Sequence, residues 1–139
     1  MKTCGGEWKE GMAIYDAIKG CKQHVTIINH THARSMSSII LQAADERIMT
    51  PHSTFMFHAG TVGFHGTYKQ FITEAIEAKK TMAQMMNIYI DIMQDNGKLK
   101  GKGRKPILRW LNNKMNTSEE VYLSAEEAVE YGFADKVRY

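Results

Sequence analysis

The sequence predicts an α/β fold in which helices pack on a parallel sheet, and three observations predict it. Short β-branched apolar runs alternate with segments whose apolar residues recur at i, i+3 and i+4. A helical pattern of about 28 residues follows them, long for a compact domain. The order reads βα, βα, ββ, long helix, helix, with no internal repeat.

Met12 to Ile18 is the first helix, since Ile14, Ala17 and Ile18 share one face and Gly20 stops it. Val25 to Asn29 is short, β-branched and apolar, as a buried parallel strand is. His30 to Arg34 reads as a connection into a helix over Ser35 to Ala44. Two strands come next, Arg47 to Met49 and Thr54 to Phe57, with Pro51 at the turn between them. Gly60, Gly63 and Gly66 recur every third residue, too often for a helix, so that stretch is extended or looped backbone open to close approach. Thr67 to Asp95 is the long helix, with an apolar stripe of Met82, Met85, Met86, Ile88, Ile92 and Met93 whose methionines are most simply core or subunit contact. Alternating Lys and Gly from Gly97 to Lys105 end it. Pro106 to Lys114 is a short helix, and Ser124-Ala125-Glu126-Glu127 is a capping box opening a run that ends at Gly132.

A chain of 139 residues suits one domain, 1–139, able to bury about two-thirds of its extended surface without disulfide or metal. With 43% hydrophobic and 24% charged residues it is not a disordered chain. Every apolar stretch falls short of the roughly 18 residues a membrane span needs, and Met1 to Gly6 has no signal-peptide core. Cys4 and Cys21 are not in a CxxC spacing and fit a reducing, cytoplasmic compartment. The net charge of +3 is local: Lys98, Lys100, Lys102, Arg104 and Lys105 carry five charges, and taking five from +3 leaves −2. This is not a nucleic-acid-binding composition. The basic run is most simply a solvated loop, with an acidic partner as the lesser reading.

Few residues carry chemistry. Ser35 stands at a strand-to-helix turn, beside the free amides of a first helical turn that could hold an oxyanion. Taken alone it is more simply an N-cap, a role for which Thr31, Ser37 and Ser38 compete. His58 closes an apolar strand, where ligands of open α/β sheets collect, or is a structural His. His30 and His32 with His52 or His58 lack an acidic or Cys ligand at a recognisable spacing, so no metal is expected. Gly5-Gly6 resembles half of an oxyanion or phosphate cradle but no Gly-Lys-Ser/Thr follows, which excludes a P-loop.

Together these segments resemble a family. Gly5-Gly6-x4-Gly11-Met12-Ala13-Ile14-Tyr15-Asp16, Ala33-Arg34-Ser35-Met36, Pro51-x-Ser53-x-Phe55-Met56-Phe57-His58 and Leu123 to Gly132 stand in the order found in ClpP, the proteolytic subunit of the Clp protease. The similarity runs from Gly5 to about Val137. It implies a ClpP/crotonase-type spiral of βαβ units with a protruding handle helix at Thr67 to Asp95, where the Met stripe meets another subunit. It implies a serine endopeptidase in which Ser35 is the nucleophile, His58 the general base, and the Gly6 and Met36 amides the oxyanion hole. The segment around Val62 and Gly63 then pairs with the substrate backbone. No cofactor is implied. The implied assembly is a homo-oligomer of seven-membered double rings, fed unfolded protein by an ATP-driven unfoldase.

Three departures from the family's pattern bear on this. Its triad Asp, four residues before the Leu-Ser-Ala serine, is Glu120 here, with Glu119 as a substitute. The stretch from Gly97 to Ser118 is longer and more basic. The N-terminal strand and the axial segment that contacts the unfoldase are missing, so the domain is expected to be N-terminally short. Two rivals keep the fold: a crotonase-like enzyme acting on acyl-CoA thioesters, and a non-catalytic subunit of a mixed ring.

Overall fold

The structure, a computed structural model, describes residues 1–139. The first helix, α1 (Trp8–Lys19), leads to β1 (Thr26–Asn29) and β2 (His32–Arg34), and then to α2 (Met36–Leu41). Next come β3 (Glu46–Met49), β4 (Thr54–Phe57) and the long α3 (Tyr68–Asp95). A single 3₁₀ turn at Gly97–Leu99 precedes α4 (Arg104–Thr117), β5 (Val121–Ser124), α5 (Ala125–Glu130) and β6 (Lys136–Val137).

The α/β class is as expected, but the single parallel sheet divides into two sheets of three strands. One has the order β1-β3-β6, all parallel; the other has the order β2-β4-β5, with β5 antiparallel to β4. The expected connection at His30 to Arg34 contains β2, which pairs with β4 in the register Arg34↔Met56. Its polar side chains hide a strand that buries only Ala33. β5 alternates buried Val121 and Leu123 with exposed Tyr122 and Ser124, the period of a one-sided strand.

Phe55 and Phe57 of β4 meet Tyr89 of α3 and Phe133, with Phe55 and Phe133 stacked at 4.7 Å. Such pairs prefer offset or edge contacts and specify how elements dock. Met85, Met86, Tyr89, Ile90 and Met93 of α3 are buried in the same cluster. Of the two readings of the methionine stripe, core or subunit contact, Met85, Met86 and Met93 take the first, and Met82 packs partly buried against the same cluster. The opposite end of α3 is different: Tyr68 through Glu77 is exposed, including Phe71, Ile72 and Ile76. Thr67 and Gln70 form a capping box at that end, as Ser124 and Glu127 do for α5.

Arg47, 4% exposed, is the charged residue in this interior. Its guanidinium donates to the Asp135 carboxylate, to Gln42 Oε1 and to the Gly132 carbonyl. That network ties β3 to the turn leading into β6. Removing one partner of such a pair typically costs about 3–5 kcal/mol because the remaining charge is stranded. The basic run is partly engaged too: Lys98 pairs with Glu130, and Arg104 opens α4 by bonding Asp91 and Asn87. No helix is long and apolar enough to cross a membrane.

Candidate active site

Because β2 and β4 are parallel neighbours, their carboxyl ends lie side by side, and the residues after them meet. Ser35 follows β2 and His58 follows β4. Ser35 Oγ lies 2.7 Å from His58 Nε2, with both side chains partly buried. Ser35 occupies the N-cap position of α2, yet its side chain makes no capping bond. The hydroxyl is directed at an imidazole instead, which argues against the plain N-cap reading.

The backbone is shaped for this. Ser35 has φ 53° and ψ −126°, and no other non-glycine residue has positive φ. This is a sharp strand-to-helix turn that lifts its hydroxyl clear, the geometry of a nucleophile elbow. The turn is held by the Ser35 amide donating to Met56 O at 2.9 Å. Ser38 on the next turn donates to Ser35 O and lies 2.7 Å from the Tyr89 hydroxyl, anchoring α2 to α3. Burial pushes the Tyr89 hydroxyl well above its ordinary pKa, so it stays a neutral partner.

Gly5 and Gly6 pass close to this turn. Gly5 has φ 97°, and a Cβ there would stand 2.8 Å from Arg34 O, 2.8 Å from Ser35 Cβ and 2.9 Å from Met36 N. Only glycine allows both that conformation and that approach. The Gly6 amide makes no hydrogen bond within the chain, and nothing lies within 4 Å of where its Cβ would be. Met36 is the first residue of α2, where backbone amides lack intrahelical acceptors. A cavity of about 310 Å³ adjoins them, lined by Gly5, Gly6, Glu7, Met36 and Ser37 among others.

Past His58, the backbone from Ala59 to Gly66 makes no hydrogen bond with the rest of the chain. It holds no strand or helix, and both Val62 and Gly63 are exposed. Its amides and carbonyls are free for an outside strand.

Glu120 is placed by register. Phe57 pairs with Val121, so the next positions outward, His58 and Glu120, face each other across β4 and β5. The Glu120 carboxylate, however, accepts a hydrogen bond from Tyr122, Oη to Oε2, at 2.8 Å. His58 Nδ1 has no hydrogen-bond partner, and neither Glu119 nor Glu120 bonds to it. The bond to Glu120, partial desolvation and the carboxylate's charge together raise the Tyr122 pKa, keeping the phenol protonated as a donor. The Arg34 guanidinium lies 5.4 Å from the Tyr122 ring centroid, a cation–π contact that steadies the phenol. No group of three His, Cys, Asp or Glu side chains is placed to hold a metal ion.

Compared with known proteins, residues 1–139 match the family model described as Clp protease. The chain belongs to the Clp protease family. The ATP-dependent Clp protease proteolytic subunit of Deinococcus radiodurans is 32% identical over 138 residues, covering 96% of this chain and 60% of that protein. The subunit of the same name from Chlorella vulgaris is 33% identical over 135 residues, covering 96% and 61%. The chain thus spans about three-fifths of the length of these curated relatives.

Sequence reasoning overlooked Tyr122 and the contact between Cys4 and His32. Tyr122 stands two residues after Glu120, and on a strand that spacing puts both on one side. The V-Y-L-S alternation could have revealed it. Cys4 and His32, 3.3 Å apart between Sγ and Nε2, carried no signal, because 28 positions separate them.

Proposed function

We propose that this Clp protease chain is a serine endopeptidase domain, and the 2.7 Å approach of Ser35 Oγ to His58 Nε2 is the observation that carries the reading. Ser35 Oγ attacks the carbonyl carbon of a peptide bond while its proton passes to His58 Nε2. The Gly6 and Met36 amides hold the resulting oxyanion, and losing one such donor typically costs about 3 kcal/mol. The C–N bond then breaks as His58 returns the proton to the amine, leaving an acyl group on Ser35. Water, activated by His58, attacks that ester and releases the acid. No metal or cofactor enters these steps.

The unpaired backbone around Val62 and Gly63 supports recognition by strand addition, in which main-chain bonds give affinity with little regard to side chains. The substrate is an extended segment of unfolded protein. The exposed apolar end of α3, with Tyr68, Phe71, Ile72 and Ile76, supports packing against further copies in an oligomer, in the family's manner two rings of seven. Unfolded substrate is delivered by an ATP-driven unfoldase, in the cytoplasm. One domain, 1–139, carries the activity.

In this reading Glu120 is the acid that holds the His58 tautomer, and Tyr122 competes for its carboxylate. Tyr122→Phe removes the competitor. An exposed bond to a carboxylate is worth about 1 kcal/mol, so kcat/KM for a peptide should rise about five-fold. Unchanged kcat/KM in the variant would show that Tyr122 does not withhold the acid.

Labelling with a fluorophosphonate, mapped by mass spectrometry, tests the proposal. Such reagents phosphonylate a serine, with fluoride as the leaving group, only where a base and an oxyanion hole surround it. An adduct on Ser35 is the expected result. A folded, unlabelled protein would favour the non-catalytic subunit, the reading to which the unpartnered His58 Nδ1 lends some weight.

A further inference from the structure

Two thiols lie on the surface of this chain, and the fold treats them differently. Cys4 and Cys21 are both free and exposed. Cys21 has no side-chain hydrogen-bond partner, whereas Cys4 Sγ lies 3.3 Å from His32 Nε2. The pairing is built by the backbone. Thr3 bridges to Ala33 beside β2, its amide donating to His32 O at 3.1 Å and its carbonyl accepting from the Arg34 amide at 3.2 Å. Ala33 faces the core, so His32 and Arg34 face the other way, onto the open side of the sheet that holds Tyr122. Cys4 therefore has an imidazole base within reach and a guanidinium on the same face, the surroundings that make a thiol a nucleophile. Three charge-bearing or nucleophilic groups, Cys4, His32 and Arg34, gather there with no part in the peptide-cleavage steps above.

The position matters as much as the chemistry. Cys4 immediately precedes Gly5, where an added Cβ would come within 3 Å of Arg34 O, Ser35 Cβ and Met36 N. A group attached to Cys4 Sγ would adjoin β2 and the Gly5-Gly6 segment that approaches Ser35.

We propose that Cys4, with His32 as its base, is a thiol-exchange site at which small disulfides of the glutathione class form a mixed disulfide that closes the serine centre. In the step, Cys4 Sγ attacks one sulfur of the disulfide, and its proton passes to His32 Nε2. The S–S bond breaks, and the leaving thiolate takes that proton to become a free thiol. Cys4 is oxidised to the disulfide level, and one half of the reagent is reduced. A reducing thiol reverses the exchange by the same route. The closure rests on the serine-peptidase reading; the exchange site does not.

The test compares two thiols in one molecule. The reduced full chain is treated with glutathione disulfide at neutral pH, and adducts on Cys4 and Cys21 are timed by peptide mass spectrometry. Cys4 should react at least about ten-fold faster than Cys21, and His32→Gln should erase the difference. Equal rates in the unmodified protein, or an advantage that survives His32→Gln, would overturn the site. Fluorophosphonate labelling of Ser35 is then measured before and after exchange. Loss of labelling that a reducing thiol restores, and that Cys4→Ser prevents, is the expected result. Full labelling of the glutathionylated protein would overturn the closure. A reduced protein that never labels at Ser35 speaks against the peptidase reading instead, with the thiol rates still deciding the exchange site.

Discussion

Ser35→Ala should lower peptide kcat/KM by at least about a thousand-fold and leave the thermal unfolding midpoint nearly unchanged. The two readouts separate because of how the serine is used. Its hydroxyl caps no amide of α2 and its partner is His58, so an alanine loses the nucleophile without losing a helix cap. The Ser35 amide still reaches Met56 O, and the turn is preserved. Retained cleavage would sink the assignment of Ser35, and a large fall in melting temperature would make the hydroxyl structural after all. Circular dichroism on the same preparation distinguishes these.

The second large effect is expected at a residue without a side chain. Gly5→Ala forces a residue with a Cβ to φ 97° and drives that atom to within 3 Å of Arg34 O, Ser35 Cβ and Met36 N. The left-handed conformation alone costs about 1–2 kcal/mol. The larger consequence is displacement, since a shift of about 1 Å in a positioned group can cost roughly 100-fold in rate. Fluorophosphonate labelling of Ser35 should fall by about that factor. A Gly5→Ala variant that labels at the original rate would show that the Gly5-Gly6 segment does not form part of the site.

Much of this architecture was legible in the residues, and the exceptions share a cause. The long helix, the α/β class and the Ser124 capping box are local signals of period and capping, and the folded chain keeps them. His58 closes a recognisable apolar run and Ser35 opens a helical one, so a strand end and a turn into a helix could be read, though only parallel pairing brings the two residues to 2.7 Å. β2 escaped notice because His32 and Arg34 are polar, and the strand is made by partners at Thr3 and Thr54 to Met56. The single sheet became two because nothing local specifies which strands pair. The methionine stripe left core and subunit contact both open while the neighbours of α3 were unknown; Phe55, Phe57 and Phe133 supply them. Glu120 came from the family resemblance, by its place four residues before Ser124, but the bond its carboxylate makes to Tyr122 depends on rotamers that no such correspondence encodes.

The backbone of Ser35 has one more consequence. A non-glycine residue held in that region of conformational space costs on the order of 1–3 kcal/mol, supplied by the bonds around it. Replacement by glycine would relax the turn and, in the same stroke, delete the hydroxyl. Sturdiness and nucleophilicity are therefore opposed at a single codon. Any lineage screened for heat resistance alone has an easy path to an inert protein there, and a serine is retained at that turn only under selection for what its hydroxyl does.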